Sequence, residues 1–212
     1  MAASATAPLE APRATYHHGN LEEALIQRAL EVLEAQGVKA LSVRKIARDV
    51  GVSQTAPLHY FQSKTGFYAA IAEHGFALLF ECRVQALRNK RDPRERLLAI
   101  MMSYLDFASR NEGLFDLMFG SEIPDKSVFP TLEAAATRSY GVFETCMADY
   151  LALRGIDLDK VRVATLSAWT ACHGLATMMT HRQNTPRDLI RKDRQRIGQE
   201  VFAITLAGID SL

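Results

Sequence analysis

The stretch "SVRKIARDVGVSQTAPLHYFQSK" (residues 42–64) sets a glycine between two short segments whose apolar residues recur at helical spacing. Ser42 is a residue type that caps a helix, and Gly51 suits a turn because glycine adopts positive φ without steric cost. Ser53 is predicted to cap the second segment. Pro57 would then fall in its first turn, where the backbone N–H groups have no intrahelical partner. This pattern predicts a helix-turn-helix.

The second helix of this motif carries side chains suited to the major groove of DNA, which admits one helix with its N-terminal residues at the base edges. Gln54 can pair with an adenine edge, and Thr55 offers a base both a hydroxyl and a methyl group. The basic and hydroxyl-bearing residues around them suit phosphate oxygens. The predicted DNA-contacting residues are Ser42, Arg44, Lys45, Ser53, Gln54, Thr55, Ala56, Leu58, His59, Tyr60 and Lys64. Spacing alone leaves an ordinary helical corner with a solvated charged face as the alternative.

The rest of the chain is predicted to be helical, with no convincing β alternation. Residues 1–19, rich in Ala and Pro, are predicted to form a flexible arm, and Asn20 is predicted to cap the first helix. Residues 20–66 then form a three-helix domain, in which Val43, Ile46, Val50, Val52 and Leu58 are predicted to pack the helices together. Residues 67–212 are predicted to form a larger helical domain. After a helix from Ser63 to about residue 90, helices are predicted near 94–110, 112–119, 130–154, 158–182 and 187–210.

Composition limits the choice of partners. The 212 residues carry a formal net charge of +1, so a nucleic-acid site requires positive charge concentrated locally. The segment 161–180 is interrupted by Arg162 and His173 and lacks the unbroken apolar run of a membrane span. The first fifteen residues have no apolar segment of a secretory signal. The three cysteines lack metal-type spacing and fit free thiols in a reducing cytosol, so a cytoplasmic protein is expected.

Two segments resemble a known family. "LSVRKIARDVGVSQTAPLHYFQSKTGFYAAI" (residues 41–71) resembles the amino-terminal DNA-binding domain of TetR-family transcriptional regulators. The resemblance covers roughly residues 16–72. "TLSAWTACHGLATM" (residues 165–178) resembles the Trp-x-x-x-His-Gly segment of one TetR subgroup, and "YHHGN" before the first helix is similar to that subgroup too. The resemblance implies a dimeric regulator, most often a repressor, that binds a near-palindromic operator and carries a ligand cavity among its later helices.

Aromatic and methionine side chains on the middle helices are candidates for lining that cavity, and they can equally fill a core. Trp169 and His173 are four residues apart and share one helix face. A small, largely apolar effector is predicted, because the presumed cavity helices offer few arginines for a strongly anionic one. The predicted ligand-binding residues are Tyr104, Phe107, Phe115, Met118, Phe119, Trp169, His173 and Met178.

The homodimer is predicted to form through the last two helices. In the first of these, Ala164, Ala168, Ala171 and Gly174 would let another helix approach closely. In the second, Ile197, Val201, Ile204 and Leu206 supply apolar surface. The rival hypothesis is an all-helical enzyme or small-molecule carrier without DNA activity. No nucleophile–base pair, metal-ligand spacing or phosphate-binding glycine loop favours it, so no catalytic residue, metal or cofactor is expected.

Overall fold

The computed structural model describes residues 18–180 and 192–212, and no strand occurs among them, so the all-α prediction is confirmed. The predicted helix at 187–210 lies partly outside the described residues, as does the predicted arm over residues 1–19, whose last two residues belong to the first helix. Short 3-10 turns occur at Val38–Ala40 and Leu158–Lys160. The α-helices are α1 His18–Gln36, α2 Val43–Val50, α3 Ala56–Phe61, α4 Lys64–Ala86, α5 Pro93–Arg110, α6 Glu112–Phe119, α7 Pro130–Arg154, α8 Val161–Thr180 and α9 Arg194–Ile209.

The first helix of the helix-turn-helix, α2, begins and ends as the sequence predicts. The Ser42 hydroxyl accepts a hydrogen bond from the Lys45 backbone N–H at 3.4 Å, and Gly51 ends α2 in the left-handed region with φ 80°. Two predicted caps are wrong. Helix α1 already begins at His18, so Asn20 lies inside it. Helix α3 begins only at Ala56, and the Ser53 hydroxyl bonds the Thr55 hydroxyl at 3.2 Å instead of a backbone N–H.

The small domain packs around α2 and the inner face of α3. Ile46 is fully buried, while Pro57 and Phe61 form the buried side of α3, where the Phe61 ring lies 4.9 Å from that of Phe67. Leu58 is 44% exposed, so the prediction that it packs the helices together is wrong. Adjacent helical residues point about 100° apart, and with Pro57 turned inward Leu58 must face solvent.

Helix α4 runs from the small domain into the larger one, where it packs against α5, α6 and α7. Helix α6 returns to the small domain and contacts α1. Gly113, in the first turn of α6, allows this approach, because a Cβ there would lie 2.2 Å from the Leu33 carbonyl oxygen. The two domains therefore meet along both α4 and α6.

Helix α9 is tied to its neighbours at both ends. At its start, Arg194 pairs with Asp106 of α5, with 2.9 Å between Nε and Oδ1. At its end, the Asp210 carboxylate accepts hydrogen bonds from the Tyr150 hydroxyl at 2.6 Å and from Arg154 Nε at 3.0 Å. These contacts hold α9 beside α8, against α5 and α7.

The outer face of α8 differs from the predicted one. Ala164 and Ala168 are buried against the protein's own core, as is Leu206 of α9, so these three cannot meet a partner helix. The exposed residues of α8 and α9 instead form a stripe along the two helices. These residues are Val163, Leu166, Thr170, Gly174, Met178 and Ile204. None of the helices in the described ranges is long and apolar enough to span a bilayer.

Candidate functional site

The turn before α3 and the outer side of α3 form one exposed surface. Gln54 and Thr55 lie in the turn, and Leu58 and His59 lie on the helix; all four are exposed, whereas Ala56 is half-buried. Because Pro57 and Phe61 hold the opposite side of α3 in the core, this surface has a fixed orientation. It presents an amide, a hydroxyl, an apolar side chain and an imidazole to solvent.

Basic and hydroxyl-bearing residues flank that surface in the sequence, on α2, in the turn and at the start of α4. Arg44 at the start of α2 and Lys64 at the start of α4 are exposed, and Ser53 is exposed between them in the chain. Lys45 is half-buried and donates from Nζ to the Gln36 side-chain oxygen at 3.2 Å. Tyr60 is also half-buried. Of the predicted DNA-contacting residues, Arg44, Ser53, Gln54, Thr55, Leu58, His59 and Lys64 are therefore exposed, and the others are half-buried.

Lys64 has a second contact inside the protein. Its Nζ lies 5.1 Å from the centre of the Tyr68 ring, within the range of a cation–π interaction. Tyr68 is itself fixed, since its hydroxyl donates to the Leu41 carbonyl oxygen at 2.8 Å. The ammonium group is therefore held close to the start of α4 while remaining exposed.

The larger domain contains a cavity of about 420 Å³ that opens to solvent, and its lining residue Leu166 is 52% exposed. This volume falls within the range of small-molecule sites, about 300–1,000 Å³. Helices α4, α5, α6, α7 and α8 all contribute to its wall. The lining residues are Phe76, Leu79, Arg83, Tyr104, Phe119, Ala136, Thr137, Ser139, Tyr140, Leu166 and Trp169.

The predicted ligand-binding residues divide between this cavity and its surroundings. Tyr104, Phe119 and Trp169 line the cavity. Phe115 and His173 lie directly behind them, with the His173 ring 5.7 Å from Phe115 and 4.9 Å from Phe119. Phe107, Met118 and Met178 do not line it. Phe107 is buried in the core, Met118 packs against Gly75, and Met178 is 47% exposed.

His173 ties the cavity helices together. Its Nδ1 is hydrogen-bonded to the Tyr104 hydroxyl at 2.8 Å, and its ring stacks on Trp169 with 4.9 Å between centroids and 12° between planes. Burial, followed by the charge of Lys126, lowers the pKa of His173, so the ring is neutral near pH 7. Burial raises the pKa of Tyr104, so its hydroxyl stays protonated. The Nδ1 atom of His173 is thus engaged by Tyr104 within the protein.

Arg83 is a cavity residue that the sequence analysis missed. It lies on α4 with 3% of its surface exposed, and its Nη1 donates to the Ser139 hydroxyl at 3.0 Å and to the Ser139 carbonyl oxygen. The guanidinium also lies 5.8 Å from the centres of the Tyr104 and Phe143 rings. Its signal in the sequence is position: Arg83 follows the buried Phe76 and Leu79 by seven and four residues, so it lies on the same helix face.

A helix-turn-helix with an outward polar face, joined to a helical domain with a cavity of small-molecule size, defines a ligand-responsive DNA-binding transcriptional regulator. Residues 25–71 match the family model described as "Bacterial regulatory proteins, tetR family". Residues 97–207, more than half of the chain, match that of "Tetracyclin repressor-like, C-terminal domain". The chain belongs to the tetR family of bacterial regulatory proteins.

Individual proteins agree with this assignment. The nucleoid occlusion factor SlmA of Pasteurella multocida (strain Pm70) is 28% identical over 145 residues, which cover 66% of this chain and 71% of that protein. A Rhodococcus sp. RHA1 protein of unknown function superposes with a TM-score of 0.70 at 27% identity, over 94% of this chain and 96% of that one. The regulator FadR from Bacillus subtilis, in complex with stearoyl-CoA, has a TM-score of 0.66 over 88% and 98% of the two chains. FadR is 14% identical and shows the fold alone.

Proposed function

We propose that this regulator is a repressor that binds a near-palindromic operator as a homodimer and leaves it when a small, largely apolar effector enters the cavity. The observation that carries the proposal is the fixed orientation of α3: Pro57 and Phe61 are buried, and Leu58 and His59 face outward beside Gln54 and Thr55. In this proposal Ser42, Arg44, Lys45, Ser53, Tyr60 and Lys64 contact the DNA backbone. The protein acts in the cytoplasm, as a regulator and not as an enzyme.

The effector part of the proposal rests on the cavity wall. Apart from Arg83 and a few hydroxyls, the lining side chains are aromatic or aliphatic, so ligand binding buries apolar surface at roughly 25 cal/mol per Å². The aromatic side chains at the cavity include Trp169 and His173, the two aromatic residues of the Trp-x-x-x-His-Gly segment. Their place there supports assignment to that subgroup. Effector binding releases DNA only if the effector binds more tightly to a conformer whose two recognition helices no longer match the spacing of the half-sites.

A gel-shift screen of apolar and polar metabolites tests this function. Compounds that release the protein from its operator should lose effect when Trp169 is replaced by alanine, because its ring lines the cavity. The matched control is Leu153→Ala, because Leu153 is an apolar residue of α7 that is 56% exposed and lies outside both the cavity and the exposed stripe of α8 and α9. An effector response that survives Trp169→Ala, or that is lost equally in the control, contradicts the proposed site.

The dimer part of the proposal rests on the exposed stripe along α8 and α9. Val163, Leu166 and Met178 are about half exposed and Ile204 is 74% exposed. A Cβ added at Gly174 would have no heavy atom within 4 Å, so the centre of the stripe is open to a second helix. Two helix-turn-helix units must lie about 34–36 Å apart to meet two half-sites one turn apart.

Gln54→Ala is expected to relax operator specificity at one base pair and to cost about 1–3 kcal/mol of binding free energy there. The reason is that the exposed Gln54 amide can both donate to and accept from an adenine edge. Selection of bound sequences from a randomised operator library measures the effect. An unchanged base preference at every position means that Gln54 reads no base.

Lys64→Ala is expected to weaken binding to all sequences alike and to reduce the slope of log affinity against log salt concentration by about one unit. The exposed ammonium at the start of α4 neutralises one phosphate and releases its counterion. Lys64→Arg is the charge-preserving control and should retain the slope. A loss confined to the best operator contradicts a phosphate contact.

Thr170→Arg is expected to convert the dimer into a folded monomer and to abolish tight binding to a palindrome, because a charge would be buried at the centre of the interface. Thr145→Arg is a matched control. Both threonines are exposed on helices and donate to the carbonyl four residues earlier, at 2.8 Å for Thr170 and 2.9 Å for Thr145. Light scattering gives the oligomeric state. A dimer that persists with Thr170→Arg places the interface elsewhere.

A further inference from the structure

Arg83 carries a buried positive charge that no carboxylate of the described residues neutralises. It is 3% exposed, yet no carboxylate forms an ion pair with it within residues 18–180 and 192–212. Its protein contacts are the hydroxyl and carbonyl oxygens of Ser139 and the faces of two aromatic rings. A guanidinium has five N–H donors, and the Nε of Arg83 has no hydrogen-bond partner in the part of the chain that the structure describes.

The buried charge of Arg83 lowers the stability of the fold unless another group supplies a counter-charge and a hydrogen-bond acceptor. Burial lowers the pKa of the Arg83 guanidinium, but an arginine side chain remains charged at neutral pH. A buried charge without a counter-charge destabilises a fold, and an unpaired buried donor adds to that cost. Arg83 lines the cavity, so a molecule bound there can supply the missing acceptor and charge.

We propose that the cavity binds an organic monocarboxylate whose carboxylate pairs with Arg83 and whose apolar body fills the remaining space. The inference rests on the proposed function of the cavity as an effector site and names the chemical class of the effector. A guanidinium fits a carboxylate well, because its parallel N–H groups match the two oxygens.

The single charge of the wall selects a monoanion. Arg83 is the one charged residue that lines the cavity within the described parts of the chain, whereas a phosphate monoester would bring nearly two negative charges. Two of the four hydroxyls in the wall are already engaged: the Tyr104 hydroxyl bonds His173, and the Ser139 hydroxyl bonds Arg83 itself. The rest of the ligand is largely apolar, because most of the wall is aromatic or aliphatic, as at Phe76, Phe119 and Trp169.

Trp169 is the only tryptophan of the chain and lines this cavity, so its fluorescence reports binding directly. The probes are decanoate, hexadecanoate and phenylacetate, each paired with its methyl ester, and dodecyl phosphate as a dianion. At least one carboxylate should bind roughly ten- to a hundredfold more tightly than its ester, the range of a charge-assisted hydrogen bond. Arg83→Met should remove this preference and leave ester binding intact.

Arg138→Met is the matched control. Arg138 lies on α7, next to Ser139 in sequence, but it is exposed, packs over the Phe80 ring at 4.2 Å and does not line the cavity. It should keep the carboxylate preference. Arg83→Lys retains the charge but not the planar guanidinium, so it should keep part of the preference. This variant also keeps the inference testable if Arg83→Met does not fold, which thermal unfolding reveals.

The outcomes separate this inference from the proposed function. Esters that bind as tightly as acids, a preference that survives Arg83→Met, tighter binding of dodecyl phosphate, or no response to any carboxylate overturn the inference. If a carboxylate binds through Arg83 but leaves the protein on its operator in a gel shift, the carboxylate site stands and the proposed effector function fails. If neutral compounds release the operator and carboxylates do not bind, the function stands and the inference fails.

Discussion

Replacing Gly113 by alanine is expected to lower the free energy of unfolding by about 1–3 kcal/mol, the usual cost of overpacking, and to weaken effector-dependent release of DNA. A Cβ at this position would lie 2.2 Å from the Leu33 carbonyl oxygen and 2.8 Å from its carbonyl carbon. Both atoms are backbone, so no side chain can rotate away and the two helices must separate.

The functional effect follows from what α6 connects. Its first turn touches α1 of the DNA-binding domain, and its Phe119 lines the cavity. Phe115 and Phe119 both contact the ring of Tyr104, at 5.7 Å and 6.2 Å between centroids. A shift of α6 away from α1 therefore disturbs the packed side chains that connect the cavity with α1 of the DNA-binding domain.

Gly141→Ala is the control for Gly113→Ala. Gly141 lies inside α7, and an added Cβ would have no heavy atom within 4 Å. Alanine is the better helix former by about 1 kcal/mol, so this variant should be slightly more stable and should respond normally. Chemical denaturation and gel shifts measure both variants. Equal stability and an unchanged effector response for Gly113→Ala would show that the α1–α6 contact carries no coupling.

Ile46→Ala is expected to cost about 2–5 kcal/mol of unfolding free energy, the range for truncating a buried aliphatic side chain. Ile46 is fully buried in α2, so its truncation leaves a cavity in a close-packed core. This loss is a large share of the stability of a small domain, so DNA binding should fail well below the normal unfolding temperature.

Leu58→Ala provides the contrast. Leu58 is 44% exposed on α3, so its truncation should change stability by no more than about 0.5 kcal/mol while lowering operator affinity. Thermal unfolding and operator titration at low temperature separate the two effects. If Leu58→Ala unfolds as readily as Ile46→Ala, the side chain belongs to the core and not to the DNA surface.

The sequence predicted helices well where the signals are local. Ser42, Gly51 and Ser63 act at helix ends as expected, and the predicted bounds of α5, α6 and α7 agree with the structure to within a residue. Ser53 and Leu58 were harder because α3 has only six residues. A helix of this length shows little periodicity in its sequence. Tertiary contacts therefore decide which face of α3 is buried.

The cavity was the hardest part to predict. Residue type cannot distinguish a core side chain from a cavity side chain, so Phe107 and Met118 were included although both pack inside the core. Arg83 was missed because arginine is rarely buried. A charged residue is therefore not counted in the apolar stripe of α4, although Arg83 lies on that face. Ala164 and Ala168 do allow close helix approach, but within the same chain.

Selection of bound fragments from a genomic DNA library tests the central claim, that this chain reads DNA through α3 as a ligand-responsive dimer. The account predicts enrichment of a few fragments that share a near-palindrome, with half-sites one helical turn apart, and loss of that binding as salt is raised. Addition of the effector should release those same fragments. Fragments recovered without a shared motif, at any salt concentration and with or without effector, would contradict the account.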